Sequence, residues 1–237
     1  MLPDGTGAEV GALGVVYLLL VGLFLPYATW KSGRVAKERP APRRVAYFVS
    51  ALQTAAVLGG LGLGVAYGEG IELFRMVAPS LRDVGLGLVA VVALLGLLAP
   101  YRAGIARRRE RRMQLFCQPT PGERALWVLV SLSAGFWEEL VYRGVLTTTL
   151  ARLTESPALA VALALAAFAG GHLHRGFGAV LPVALVGLVL HAFVLLTGAL
   201  YVAMGVHFLY DVGAGFAYVR LAERHGIARE TPGAPRA

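Results

Sequence analysis

Long apolar runs, separated by short stretches that hold most of the charge, set the pattern of this chain. The runs do not alternate apolar and polar faces turn by turn, as helices resting on a soluble core do. A helix needs roughly 20 predominantly apolar residues to cross a hydrocarbon core about 30 Å thick. Seven runs are read as spans, at 8–30, 45–67, 84–101, 125–150, 156–171, 178–197 and 199–219. The expected fold is all-α, a polytopic transmembrane helical bundle of about seven spans, with six to eight compatible with the run boundaries. Tyr27 and Trp30 are placed as interfacial anchors of the first span. That span does not read as a cleaved signal, because Asp4 and Glu9 precede it and the basic residues follow it.

Composition agrees with the pattern: 57% of the 237 residues are hydrophobic and only 15% charged. The formal net charge of +8 invites a nucleic-acid reading, but the basic residues flank spans, where they orient a chain against anionic headgroups. Lys31, Arg34, Lys37, Arg39, Arg43 and Arg44 lie between the first two spans. Arg102, Arg107, Arg108, Arg109, Arg111, Arg112 and Arg124 lie between the third and fourth, and Arg220, Arg224, Arg229 and Arg236 follow the last. The alternate loops hold only Arg75, Arg82 and Arg152. Basic loops remain cytoplasmic, so the N-terminus is expected outside and the C-terminus in the cytoplasm of a multi-pass cell-membrane protein. A single cysteine, Cys117, excludes an intrachain disulfide and Cys-rich metal sites.

The informative residues are polar ones inside the fourth, fifth and seventh spans, because a charge at bilayer depth costs roughly 2.5–3.5 kcal/mol on insertion scales. The fourth span carries Glu138 and Glu139, followed by Arg143. Glu139 and Arg143 are four apart and share a helix face, about 6 Å apart along the axis. Glu138 points about 100° away, without that partner. An unpaired carboxylate in an apolar span can serve as a general base. Phe168 and His172 stand one turn apart at the end of the fifth span, and His207 and Asp211 one turn apart in the seventh. Glutamate, two histidines and an acid from three spans can activate water, with a metal or without one.

Each pair alone has a plainer reading. A Glu–Arg pair can simply pin helices, and a lone histidine can bridge them. His174 and Arg175 are read as interfacial, His191 as structural and without a companion, and His225 as a solvated tail residue. The plain reading accounts poorly for three pairs gathered in the C-terminal half. Two other classes compete with an enzyme. A proton-coupled transporter also uses intramembrane Glu, His and Asp, but no inverted repeat is visible. A non-catalytic membrane scaffold on a protease fold is the other. The zinc pattern His-Glu-x-x-His and the Gly-x-Ser-x-Gly elbow are both missing.

Glu138-Glu139-x-x-x-Arg143, Phe168-x-x-x-His172 and His207-x-x-x-Asp211, in that order, resemble the motifs of the CPBP intramembrane proteases. That family includes Rce1-type CAAX prenyl proteases and bacteriocin-processing relatives. The likeness covers about 120–219 and includes Pro121-Gly122-Glu123-Arg124. It implies a peptidase, a glutamate or metallo-endopeptidase, with 1–119 as N-terminal helices with basic loops, 120–220 as catalytic core and 221–237 as polar tail. It also implies Glu138 as the base that activates water, aided by His172. His207 and Asp211 would polarise the scissile carbonyl, while Glu139, Arg143 and Phe168 support them. Glu138, His172 and His207 could instead hold zinc, and a metal-free glutamate mechanism is equally open. Asp211 departs from the Asn frequent in the prenyl-protease branch, and a carboxylate donates no hydrogen bond unless protonated. The Ala-, Gly- and Arg-rich composition suggests a bacterial chain, and bacteria generally lack prenylated CAAX proteins. The expected partners are the lipid bilayer and a membrane-anchored peptide or protein substrate, cut near the cytoplasmic leaflet. In this topology His172 falls nearer the cytoplasmic end of its span than Glu138, so a shared site calls for a broken or tilted helix.

Overall fold

The computed structural model describes residues 9–38, 43–74, 78–108 and 120–227. Cys117, Arg39, Arg75, Arg109, Arg111, Arg112, Arg229 and Arg236 lie outside the described residues, as does most of the tail. The described residues contain helices and turns and no strand. Among the described residues, seven helices carry the bundle: α1 (Ala12–Ser32), α2 (Val45–Gly68), α3 (Leu81–Arg107), α4 (Pro121–Thr154), α5 (Pro157–Gly171), α6 (Val180–Thr197) and α7 (Leu200–Arg224). All but α5 belong to segments long and apolar enough to cross a membrane. The outer surface fits that environment: Leu23, Val89, Val92 and Leu196 are more than half exposed. A soluble domain would not carry so much contiguous apolar surface. The chain is a multi-pass membrane protein.

Helix starts follow local chemistry. The side chains of Ser80 and Asp83 exchange capping-box hydrogen bonds with the backbone at the start of α3, and Thr120 with Glu123 does the same at α4, where Pro121 occupies the first turn. α3 runs six residues beyond the expected end of the third span, and this changes Arg102. The helix breaks at Leu98, two residues before Pro100, then resumes. Arg102 is consequently buried, donating to the Leu95 carbonyl, and is not a loop residue.

The middle of α4 is the hub of the core. Leu140, Val141, Tyr142 and Val145 are almost fully buried, packed against Tyr17 and Val21 of α1, Val65 of α2, Phe168 of α5 and Met204 of α7. A second core joins α3, α6 and α7 through Val91, Leu94, Leu190, Val202 and Val206. α7 lies close against α4 at Gly135. A Cβ there would come within 2.9 Å of the Phe208 nitrogen and 3.1 Å of the Met204 oxygen, so only glycine admits this backbone approach. That contact, one turn before Glu139, sets the height at which His207 meets α4.

The apparent mismatch in depth between Glu138 and His172 disappears once depth is counted from the turn between their helices. α4 and α5 form a hairpin about Glu155, whose φ is 51°. Glu138 and His172 each stand 17 residues from that turn, and Tyr142 and Phe168 each stand 13. Residues equidistant from a tight turn lie level on antiparallel helices, and the Tyr142 and Phe168 rings do meet, 5.1 Å apart. At 34 residues α4 is about 51 Å long, well over the core thickness, so span ends are a poor measure of depth. α5, with 15 residues, is about 22 Å long and ends inside that range.

Candidate active site

Two adjacent glutamates leave α4 in different directions, and each finds a histidine. The helix changes its winding just beyond them: Leu140–Leu146 forms a π-helical stretch between the α-helical parts of α4. Such wide turns are frequent at functional sites. Here the Thr147 hydroxyl donates to the Tyr142 carbonyl at 2.6 Å, which helps to satisfy the altered backbone.

Glu139 is fully buried. Its Oε1 accepts from Arg143 Nη1 at 2.9 Å and from His207 Nδ1 at 2.7 Å. These short contacts are charge-assisted hydrogen bonds, the strongest kind a protein interior offers. The pair expected from the four-residue spacing of Glu139 and Arg143 therefore exists, and it recruits His207 from another helix. On the far side of the His207 ring, Nε2 lies 3.6 Å from Asp211 Oδ2. The backbone of Asp211 is fixed separately, its carbonyl accepting from Trp127 Nε1 at 3.0 Å.

Glu138 faces His172. Its Oε2 lies 3.9 Å from His172 Nε2 and has no hydrogen-bond partner among the described residues. The other ring nitrogen is already committed: Nδ1 is 2.8 Å from the Phe168 carbonyl, to which it can only donate. The ending of α5 produces this geometry. The His172 amide turns back to Ala169 in a tighter turn, leaving the Phe168 carbonyl for the side chain. The chain then passes through 3₁₀ turns at Leu173–Arg175 and Phe177–Ala179 before α6.

Phe168 joins the two halves. Its ring centroid lies 4.8 Å from that of His172, 6.2 Å from that of His207 and 4.2 Å from Arg143 Cζ. The last distance is that of a cation–π contact. The structure thus brings Glu138, Glu139, Arg143, Phe168, His172, His207 and Asp211 into one cluster. Sequence reasoning missed the groups behind Arg143 on α6 and the Trp127 tether of Asp211. Their partners lie on other helices, and no within-helix spacing announces them.

His207 turns Nδ1 to Glu139 and Nε2 towards Asp211. Among the described residues no group of three His, Cys, Asp or Glu side chains is placed to hold a metal ion.

A comparison with protein families finds a match over residues 120–213 to the family described as type II CAAX prenyl endopeptidase Rce1-like. No curated protein and no solved structure matches the chain. The matched residues contain all seven side chains of the cluster and the helix hairpin that sets their depth. The segment that builds this site is thus similar to the Rce1-like family of type II CAAX prenyl endopeptidases.

Proposed function

We propose that the chain is an intramembrane endopeptidase that hydrolyses a peptide bond of a membrane-associated substrate with water activated by Glu138 and His172. The observation that carries this reading is the pairing of the unpartnered Glu138 Oε2 with His172 Nε2 at 3.9 Å. That distance is too long for a direct hydrogen bond and suits one water bonded to both groups. Such a water gives one hydrogen to Glu138 and one to His172, leaving an oxygen lone pair for the scissile carbonyl carbon. Glu138 takes the proton as the C–O bond forms, then delivers it to the leaving amine as the C–N bond breaks. His207, oriented by Glu139, stabilises the developing oxyanion through Nε2–H. Asp211, whose Oδ2 lies 3.6 Å from the same nitrogen, is not the oxyanion donor.

The substrate in this reading is a membrane-anchored peptide or protein segment of a bacterial cell membrane, cut near the cytoplasmic leaflet. The N-terminus is outside and the C-terminus cytoplasmic, as the loop charges support. The test is cleavage of a fluorogenic, membrane-tethered peptide library by the purified protein, with Glu138→Gln, His172→Ala and His207→Ala alongside. Cleavage by the wild type and loss in all three variants is the expected result. Cleavage that survives Glu138→Gln contradicts the mechanism. A library left intact by a well-folded wild type instead favours a scaffold. A chelator titration of the active enzyme separates the side-chain mechanism, which keeps its rate, from a zinc-dependent one, which loses it.

A further inference from the structure

Arg143 is buried together with Glu139, and a guanidinium there needs an acceptor for every face of its fork. Glu139 supplies one. The others come from α6: Nη2 donates to the Gly187 carbonyl at 3.1 Å and Nε donates to His191 Nδ1 at 3.3 Å. Gly187 and His191 are one turn apart on the same helix face. His191 is buried, and its Nε2 lies 3.2 Å from the Thr147 hydroxyl. His191 Nδ1 also lies 3.1 Å from the Gly187 carbonyl, and one tautomer leaves that carbonyl to Arg143 Nη2. Nδ1 without a proton accepts from Arg143, Nε2–H donates to Thr147, and the Thr147 hydroxyl donates to the Tyr142 carbonyl in the π-helical stretch. Gly187 gives the guanidinium its room. A Cβ there would stand 3.1 Å from Arg143 Nη2 and 2.9 Å from Phe168 Cδ1.

We propose that Gly187 and His191 of α6 form the seat of Arg143, and that His191 is a positioning residue, acting through Arg143 and Glu139 to fix the orientation of His207. The inference deepens the proposed function and rests on it for its kinetic readout. His191 touches none of the reacting atoms. It holds the guanidinium from behind, the guanidinium holds Glu139, and Glu139 aims the imidazole of His207. Groups that orient a histidine from behind in metal sites are worth about 10–100-fold in activity when removed, and an effect of the same order is expected here.

The test compares His191→Leu, which fills the space without an acceptor, with His191→Asn, whose Oδ1 takes the place of Nδ1 opposite Arg143. Thermal unfolding in detergent identifies folded protein. The expected result is a fall in kcat of about 10–100-fold with KM unchanged for His191→Leu, and recovery to within about threefold for His191→Asn. Wild-type kcat in His191→Leu, or an equal fall in both variants, overturns the inference. A second readout does not need a substrate: the ring 15N signals of His207 in labelled full-length protein. They are expected to move in His191→Leu and to stay in place in His191→Asn. If the wild type cleaves nothing, the peptidase reading fails, and unmoved His207 signals in His191→Leu overturn the positioning role independently.

Discussion

On one face of α4, the Glu139 carboxylate is 0% exposed and shares a single oxygen between Arg143 and His207. On the next face, the Glu138 carboxylate is 15% exposed, and its Oε2 stands 3.9 Å from His172 with no hydrogen-bond partner among the described residues. The two residues are neighbours in sequence and chemically identical. What separates them is about 100° of helix rotation, which turns one into a closed network and the other towards the edge of α5. The difference shows how one helix supplies both the frame and the reactive group. The closed face fixes positions through Glu139 Oε1, which holds Arg143 and His207 at once. The open face keeps a lone pair for chemistry.

The comparison can be broken first at Arg143. Replacing one partner of a buried ion pair strands the other, at a cost of about 3–5 kcal/mol. Arg143→Leu is expected to show a loss of that size in thermal or denaturant unfolding in detergent. A variant as stable as wild type would mean the closed face contributes nothing to holding the bundle. Gly187→Ala tests the same face more gently. The added methyl meets Phe168 and Arg143, and overpacking of this sort costs about 1–3 kcal/mol. Its unfolding midpoint is expected to fall by less than that of Arg143→Leu, and a rise would show that α6 has room to yield.

The smallest effect is expected at Asp211. Its Oδ2 lies 3.6 Å from His207, beyond a direct hydrogen bond, and its side chain is 22% exposed. Asp211→Asn is expected to keep kcat within about tenfold, the range of one modest hydrogen bond of 0.5–1.5 kcal/mol. A loss as deep as that of Glu138→Gln would move Asp211 into the reacting set.

Much of this architecture was legible in the sequence, and for a physical reason. The bilayer demands long apolar runs, so seven helices follow from hydropathy. Charge at depth is costly, so Glu138, Glu139, Arg143, His172, His207 and Asp211 stand out. Pairs four apart on one helix are fixed by helix geometry alone, and both Glu139–Arg143 and His207–Asp211 lie within 4 Å. Contacts between helices follow no such rule. The Glu139–His207 bond depends on α7 closing on Gly135, and the seat of Arg143 depends on α6 lying behind α4. His191 looked companionless because its companions are 44 and 48 residues away. The depth of His172 was within reach of the sequence, had it been counted from Glu155 and not from the ends of apolar runs. The π-helical stretch at Leu140–Leu146 carries no spacing that would announce it.

The division of labour between the two glutamates is tested most directly by Glu138→Gln and Glu139→Gln, measured side by side for cleavage and for thermal unfolding in one detergent. Glu138→Gln is expected to lose about 10²–10⁴-fold in kcat, as for removal of a general base, while unfolding at the wild-type temperature. Glu139→Gln is expected to unfold at a lower temperature, because Arg143 and His207 lose their shared carboxylate. A Glu138→Gln protein that cleaves at the wild-type rate, or one that carries the stability loss in place of Glu139→Gln, would contradict the account.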